Sequence, residues 1–322
     1  MMREIRALFH LTGGFGRFVV LTIFRCPFDA AYTMLQAFFL QHSFDAVTKG
    51  DAGALQNACA LFLFGSILLF LYNGTVWRLY ATYVVKWVAA LRRRLFGHLL
   101  QLPLPQIESR SGGEWFTRLN ADTAAAAALL NQPMHVPHGA VAVFSLCVSS
   151  ALLIAANPGL YALILAFILP HAILNHVFIA KPMTALGLWA QQAQAENAAD
   201  FSAIIACADT AILYDARGFL LKRFEESSLK TRAAQIRMRR RSALGAGLLP
   251  LFGLGGYLVL LIAGGALVKD GVLSFGGLTA IFQFRGGLMA GVLTVFVCTV
   301  NIKAAMAGVK RVQETMHLPK EE

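Results

Sequence analysis

Charge is scarce in this 322-residue chain. Only 14% of residues are Asp, Glu, Lys or Arg, and 17 acids stand against 28 bases. Soluble domains draw roughly a quarter of their residues from that group, so a chain whose whole surface meets water is excluded. Cysteine is sparse as well: Cys26, Cys59, Cys147, Cys207 and Cys298 are isolated in mostly apolar surroundings. They form neither a disulfide framework nor a zinc motif and read as buried thiols. Proline is missing from Ala54 to Leu100, so nothing interrupts a helix there. No G-x-x-x-x-G-K-[ST] phosphate loop occurs; Gly264-Gly265 before Lys269 lacks both the glycine beside the lysine and the hydroxyl after it. No strand-turn-helix setting for a nucleophile elbow is present. A cleavable leader is absent too, because Arg25 and Pro27 break the apolar run after Arg17 and no small-residue cleavage site follows.

What remains is apolar. Hydrophobic residues make up 57% of the chain, and the mean hydropathy is +0.61. Several runs are long enough to cross a bilayer, which describes an all-α, multi-pass membrane protein. Six spans are predicted. The first covers Phe18 to Leu40, followed by an outer loop from Asp45 to Gly53. The second runs from Ala54 to Leu100; at about 1.5 Å per residue it reaches roughly 70 Å, against a hydrocarbon core of about 30 Å. The third begins at Glu114 and is expected to continue to the Asn157-Pro158-Gly159 turn. The fourth runs from Leu160 past Glu196 to a break between Cys207 and Gly218. The fifth turns apolar at Ala243, and the sixth runs from Ser274 through Val300 to Arg311. Each long helix has an apolar half and a charged half.

The net charge of +11 is distributed by topology. Lys49 and Lys269 fall in outer loops, Arg25 and Arg285 within spans, and the other Lys and Arg on the side that the positive-inside bias makes cytoplasmic. Both termini are therefore expected in the cytoplasm, in a cell (plasma or inner) membrane. The Arg237 to Arg241 run suits anionic headgroups beside a span, and no nucleic acid is expected as a partner. Arg3, Glu4 and Arg6 among Ile5, Leu8 and Phe9 describe an amphipathic elbow over residues 1–16.

One polar interruption organises the chain. Pro103 and Pro105 stop the second helix. Ser111, Gly112 and Gly113 supply a turn, and Glu114 opens a new helix with an acid at its positive end. The segment resembles the first coupling helix of ABC exporters of the six-helix (type IV) class. Their Leu-Pro, Gly-Glu, Arg-Leu and Asp elements stand here as Leu102-Pro103, Gly113-Glu114, Arg118-Leu119 and Asp122. The second coupling helix of that family carries an aromatic residue before an Arg-Phe pair, and Tyr214 stands so before Arg223-Phe224. The sixth helix ends similarly, in Ala307, Arg311-Val312, Glu314 and Met316 leading to Pro319. Two positions depart from the pattern: Ile212 replaces a usual lysine, and Gln106-Ile107 replaces an aromatic pair, leaving Ile107 as the apolar knob.

The resemblance implies a transmembrane domain over residues 17–316, with 317–322 beginning a linker toward a nucleotide-binding domain. It implies coupling helices at Pro105, Gln106, Ile107 and Glu108, and at Ile212, Leu213, Tyr214 and Asp215. It further implies a second transmembrane half, and a partner domain that holds ATP and Mg while this chain holds no cofactor. That domain is expected on a separate subunit or on a longer version of this chain. The alternative expectation is a non-transporting scaffold or degenerate half-transporter.

Polar residues inside the spans are candidates for a substrate pathway. Arg285 lies near mid-membrane, where a cation is costly unless it faces water or a partner. Pairing with Asp29 or snorkelling would account for it equally. Arg25 and Asp29, four apart, are placed to neutralise each other on one helix face. Gly287 and Gly291 have the spacing that lets helices approach closely. His135, His138, His171 and His176 lack the clustering that an integral-membrane metal site needs, and no metal is expected.

Overall fold

The computed structural model describes Phe9, residues 12–131 and residues 134–319. All regular structure among them is helical: α1 (Phe15–Arg25), α2 (Pro27–Lys49), α3 (Ala52–Leu99), α4 (Leu104–Glu108), α5 (Gly112–Thr117), α6 (Thr123–Asn131), α7 (Val136–Ala156), α8 (Pro158–Leu174), α9 (Lys181–Ala206), α10 (Ala208–Leu213), α11 (Arg217–Lys269) and α12 (Phe275–Met316). Wide π-type turns occupy Arg118–Asp122 and Asn175–Ala180. Joined end to end, these make six rods long and apolar enough to cross a membrane: Phe15–Lys49, Ala52–Leu99, Gly112–Ala156, Pro158–Ala206, Arg217–Lys269 and Phe275–Met316. The chain is an all-α membrane protein with six candidate spans.

Several boundaries differ from the sequence reading. The loop expected from Asp45 to Gly53 is almost entirely helix; only Gly50 and Asp51 turn. Gly50 takes the left-handed φ of 68° that ends α2, and the Asp51 carboxylate accepts the Ala54 N–H at 3.0 Å to start α3. A stop and a start signal side by side need no more chain. The first rod runs past Leu40 to Lys49 and divides at Cys26–Pro27, where proline has no N–H to donate. The third rod is not one continuous helix. Ser111 caps it by accepting the Glu114 N–H, it widens over Arg118–Asp122, α6 ends at Asn131, and Met134 turns with φ of 60° ahead of α7 at Val136. Pro137 then sits in the first turn of α7, where a missing N–H costs nothing. The cysteines are not uniformly buried either: Cys298 is, whereas Cys59, Cys147 and Cys207 are exposed on the isolated chain. Most of the elbow expected over residues 1–16, and the end of the linker over 317–322, lie outside the described residues.

The chain divides into two compact units, residues 1–161 with 264–322, and residues 162–263. In the first, α12 lies along α2, α6 and α7, while α3 packs on α1 and α2. Its core gathers Phe9, Phe18, Tyr80, Trp87, Leu91, Leu129, Leu130, Met306 and Val309. The α12 glycines allow close contact. A Cβ on Gly276 would stand 2.0 Å from the Gln41 carbonyl oxygen, and one on Gly291 would stand 2.8 Å from Leu146. In the second unit α9 and α11 form a hairpin around Ala190, Ala193 and Ala234. It is laced by Asn197 to Ser227 and Ser228, by Thr231 donating to the Ala193 carbonyl, and by an Arg223–Asp200 ion pair at 2.9 Å.

Candidate functional site

The α3–α5 junction builds a compact foot. Pro103 ends the extended approach with ψ of 141°, and Leu104–Glu108 form a single short helix, α4, containing Pro105, Gln106, Ile107 and Glu108. A helix this short leaves its last carbonyls without partners, and neighbours supply them: the Ser109 hydroxyl donates to the Gln106 carbonyl at 2.7 Å, and the Trp115 indole N–H donates to the Ile107 carbonyl at 3.0 Å. Arg110 and Arg118 lie 5.5 and 5.8 Å from the Trp115 ring centroid, and both pair with Glu114. Ile107 is consequently half-buried. The junction presents Leu104 on α4, 62% exposed, and Phe116 on α5, 68% exposed.

Behind the foot, the third rod runs antiparallel to α12. Arg118 donates to the Thr315 hydroxyl at 2.8 Å, and Arg311 donates to the buried Asp122 carboxylate at 2.7 Å. A Cβ on Gly308 would meet that of Ala125 at 2.5 Å. Each step along one helix is matched by an equal step back along the other. The register then slips: Gly139 faces Cys298, so the fourteen residues from Ala125 oppose ten on α12. The break at Met134 absorbs the extra turn, and Asn301 donates to its carbonyl at 3.2 Å.

The second foot closes the α9–α11 hairpin. Helix α10 ends in a Schellman motif: the Ala216 N–H donates to the Ala211 carbonyl at 2.9 Å, and Asp215 adopts the left-handed conformation with φ of 49°. Aspartate tolerates that region better than most side chains. The turn leaves Ile212 exposed, with Leu213 and Tyr214 at 81% and 80% exposure. Behind them Phe201, Ile204, Ala208, Ala211, Leu220 and Phe224 line an apolar groove of about 370 Å³.

The polar residues of the spans sort differently from the sequence reading. Arg25 and Asp29 make no ion pair: the helix divides at Pro27 between them, and the Arg25 guanidinium lies 4.5 Å from the Trp77 ring centroid and 4.8 Å from that of Tyr80. The Tyr80 hydroxyl donates to the Leu130 carbonyl and that of Tyr72 to the Phe24 carbonyl. Asp29 is exposed, on the same α2 face as Thr33 and Gln36. Gln283 on α12 donates its amide to Gln36 at 2.5 Å. A Cβ on Gly287 would stand 3.3 Å from the Thr33 methyl and 3.7 Å from the Ser149 hydroxyl, and Arg285 is half-buried between Gln283 and Gly287 in sequence. The Gln36–Gln283 pair, Thr33 and Ser149 escaped the sequence reading. The available signal was the three- and four-residue spacing of Asp29, Thr33 and Gln36 within an apolar helix.

Among the described residues no three His, Cys, Asp or Glu side chains gather as metal ligands. The family model described as ABC transporter transmembrane region matches residues 20–309. No curated protein matches the chain.

Proposed function

Because the chain belongs to the ABC transporter transmembrane region family, we propose that it is one half of an ATP-driven exporter. In this reading the chain contributes part of a substrate pathway, and its two feet receive force from nucleotide-binding domains. The family assignment makes it a multi-pass membrane protein of a transporter, a class that generally works with a nucleotide-binding domain. The finer reading is carried by one observation: at both hairpin junctions the chain folds a short helix that offers apolar side chains, Leu104 on one and Ile212, Leu213 and Tyr214 on the other. Exposed apolar residues at a charged, water-facing helix tip are costly to leave uncovered, and they mark an interaction surface.

The proposed mechanism is mechanical: two partner domains, which would hold the ATP and Mg, approach each other. The feet move with them, and rods far taller than the lipid convert that motion into opening at the opposite end. Such a bundle is bistable, biased by contacts that differ between its two states. A second transmembrane half, identical or similar, completes the cavity. Both termini and both feet lie in the cytoplasm on the charge distribution. The strip of Asp29, Thr33, Gln36 and Gln283, with Arg285 beside it, is the proposed polar part of the pathway. Arg25, seated on two aromatic rings, acts there as an anchor.

The second reading, a scaffold or degenerate half whose partner carries the cycle, is favoured by Ile212 in place of the usual lysine and by the half-buried Ile107. Purification with the nucleotide-binding partner separates the two. For a transporting subunit, Tyr214→Glu or Leu104→Glu lowers the partner's ATPase stimulation at least tenfold while the variant still reaches the membrane. A chain that co-purifies with an ATPase whose rate ignores both changes is the scaffold.

A further inference from the structure

The first foot could have been held by its own turn alone, yet the connections run further. The Ile107 carbonyl is held by the Trp115 indole, Arg118 lies over the Trp115 ring, and the same guanidinium reaches across to Thr315 on α12. Thr315 is fully buried, and its own hydroxyl donates back to the Arg311 carbonyl in the preceding turn. Arg311 in turn holds the buried Asp122 one turn beyond Arg118. Gly308 closes against Ala125 one turn further on. Three contacts in strict antiparallel register therefore tie the foot arm to α12. The guanidinium suits this place because its planar fork donates in several directions while its face stacks on an aromatic ring. A lysine offers a point charge without the stacking face.

We infer that Arg118 is a positioning residue: seated on Trp115 and donating to Thr315, it locks the Leu104–Glu108 foot to the end of α12, so that foot and α12 move as one body. The inference deepens the transporter reading and rests on it for what the motion accomplishes, while the lock itself is a property of this chain alone.

The test measures the lock directly. Spin labels are placed at Glu108→Cys and Lys310→Cys, both exposed positions, on a full-length chain whose five native cysteines are replaced. Pulsed electron spin resonance in nanodiscs then reads their separation. The native sequence at 118 is expected to give one narrow distance distribution, and Arg118→Gln at least doubles its width. Thr315→Val reproduces that broadening from the α12 side, and it decides the matter if Arg118→Gln does not fold. Trp115→Phe, which keeps the ring and drops the N–H, broadens it less. With the ATPase partner bound, the native distance stays fixed between the nucleotide-free and the Mg-ATP-vanadate states. Arg118→Gln then keeps partner affinity and loses at least tenfold in ATPase stimulation, a split that loss of fold would not give.

Unchanged width in both Arg118→Gln and Thr315→Val removes the positioning role. A native distance that shifts by more than about one helical turn, roughly 5 Å, between nucleotide states removes the single-body claim. If no ATPase partner responds to any foot variant, the exporter reading fails, and the width measurement still decides the lock.

Discussion

Asp45 and Gly276 show how much of this fold depends on single atoms. Gly276 lies so close to α2 that an added Cβ would fall 2.0 Å from the Gln41 carbonyl, which is backbone and has little room to move. Into that contact Asp45 sends its carboxylate, accepting the Gly276 N–H at 2.9 Å and the Ser274 hydroxyl at 3.0 Å. It thus caps the N-terminus of α12 from a different helix. Asp45→Ala should cost about 0.5–2 kcal/mol, the range for losing an N-cap acceptor. Gly276→Ala should cost about 1–3 kcal/mol through overpacking. Thermal unfolding of the purified protein in detergent measures both, and His42→Ala, an exposed neighbour, provides the baseline. A midpoint for Asp45→Ala equal to that baseline would show that the cross-helix cap contributes nothing. The two partners are 231 residues apart, so no local pattern could have announced the pair. Ser274, where the sixth helix was expected to begin, also caps α12 by accepting the Gly277 N–H at 2.9 Å.

At the scale of elements, what could be read from sequence was whatever local chemistry dictates. Ser111 and Ser274 start helices through their own side-chain oxygens, at the turn and the helix start that the sequence predicts, whereas in the sequence the Gly50 stop and the Asp51 cap read only as part of a longer loop; the alternation of apolar and charged halves follows from the bilayer. What could not be read depends on neighbours remote in sequence. Ile107 was expected to be the apolar knob; it is half-buried with its carbonyl held by Trp115, and Leu104 and Phe116 are exposed instead. Arg25 was placed to be neutralised by Asp29; the carboxylate's charge still acts on it, but its direct contacts are with rings contributed by α3. The break before Met134 has proline signals, yet its consequence, a register slip against α12, exists only in the packed pair. The second foot permits an element-level prediction. Asp215 closes α10 with φ of 49°, a conformation that costs a β-branched residue on the order of 1–2 kcal/mol and glycine almost nothing. Asp215→Gly should therefore leave the foot intact, whereas Asp215→Val should unwind it. Limited proteolysis at Arg217 reports the difference: equal cleavage rates for the two variants would mean that the Schellman turn does not hold the foot.

For the whole molecule, the decisive question is which side the feet occupy, since every step from ATP to transport assumes that they face the motor. The charge asymmetry argues for the cytoplasm. Arg217, Lys222, Arg223, Lys230, Arg232, Arg237, Arg239, Arg240 and Arg241 all belong to the foot-proximal half of α11, while its far end carries Lys269 alone. Moving so many cations across a bilayer is strongly unfavourable, which is the physical basis of the orientation bias. Cys207 offers a direct probe, because it is exposed and stands at the start of α10, immediately before the second foot. In a variant retaining Cys207 as its sole cysteine, a membrane-impermeant maleimide should label inside-out vesicles readily and intact cells at least tenfold less. Adding the ATPase partner to the inside-out vesicles should slow that labelling, because in the proposed docking the partner would cover Ile212, Leu213 and Tyr214 beside it. Tyr214→Glu, which weakens docking, should restore the fast rate. Labelling from outside intact cells would place both feet away from any cytoplasmic ATPase, and the rods would then have no source of force, however well their lengths and feet suit the task.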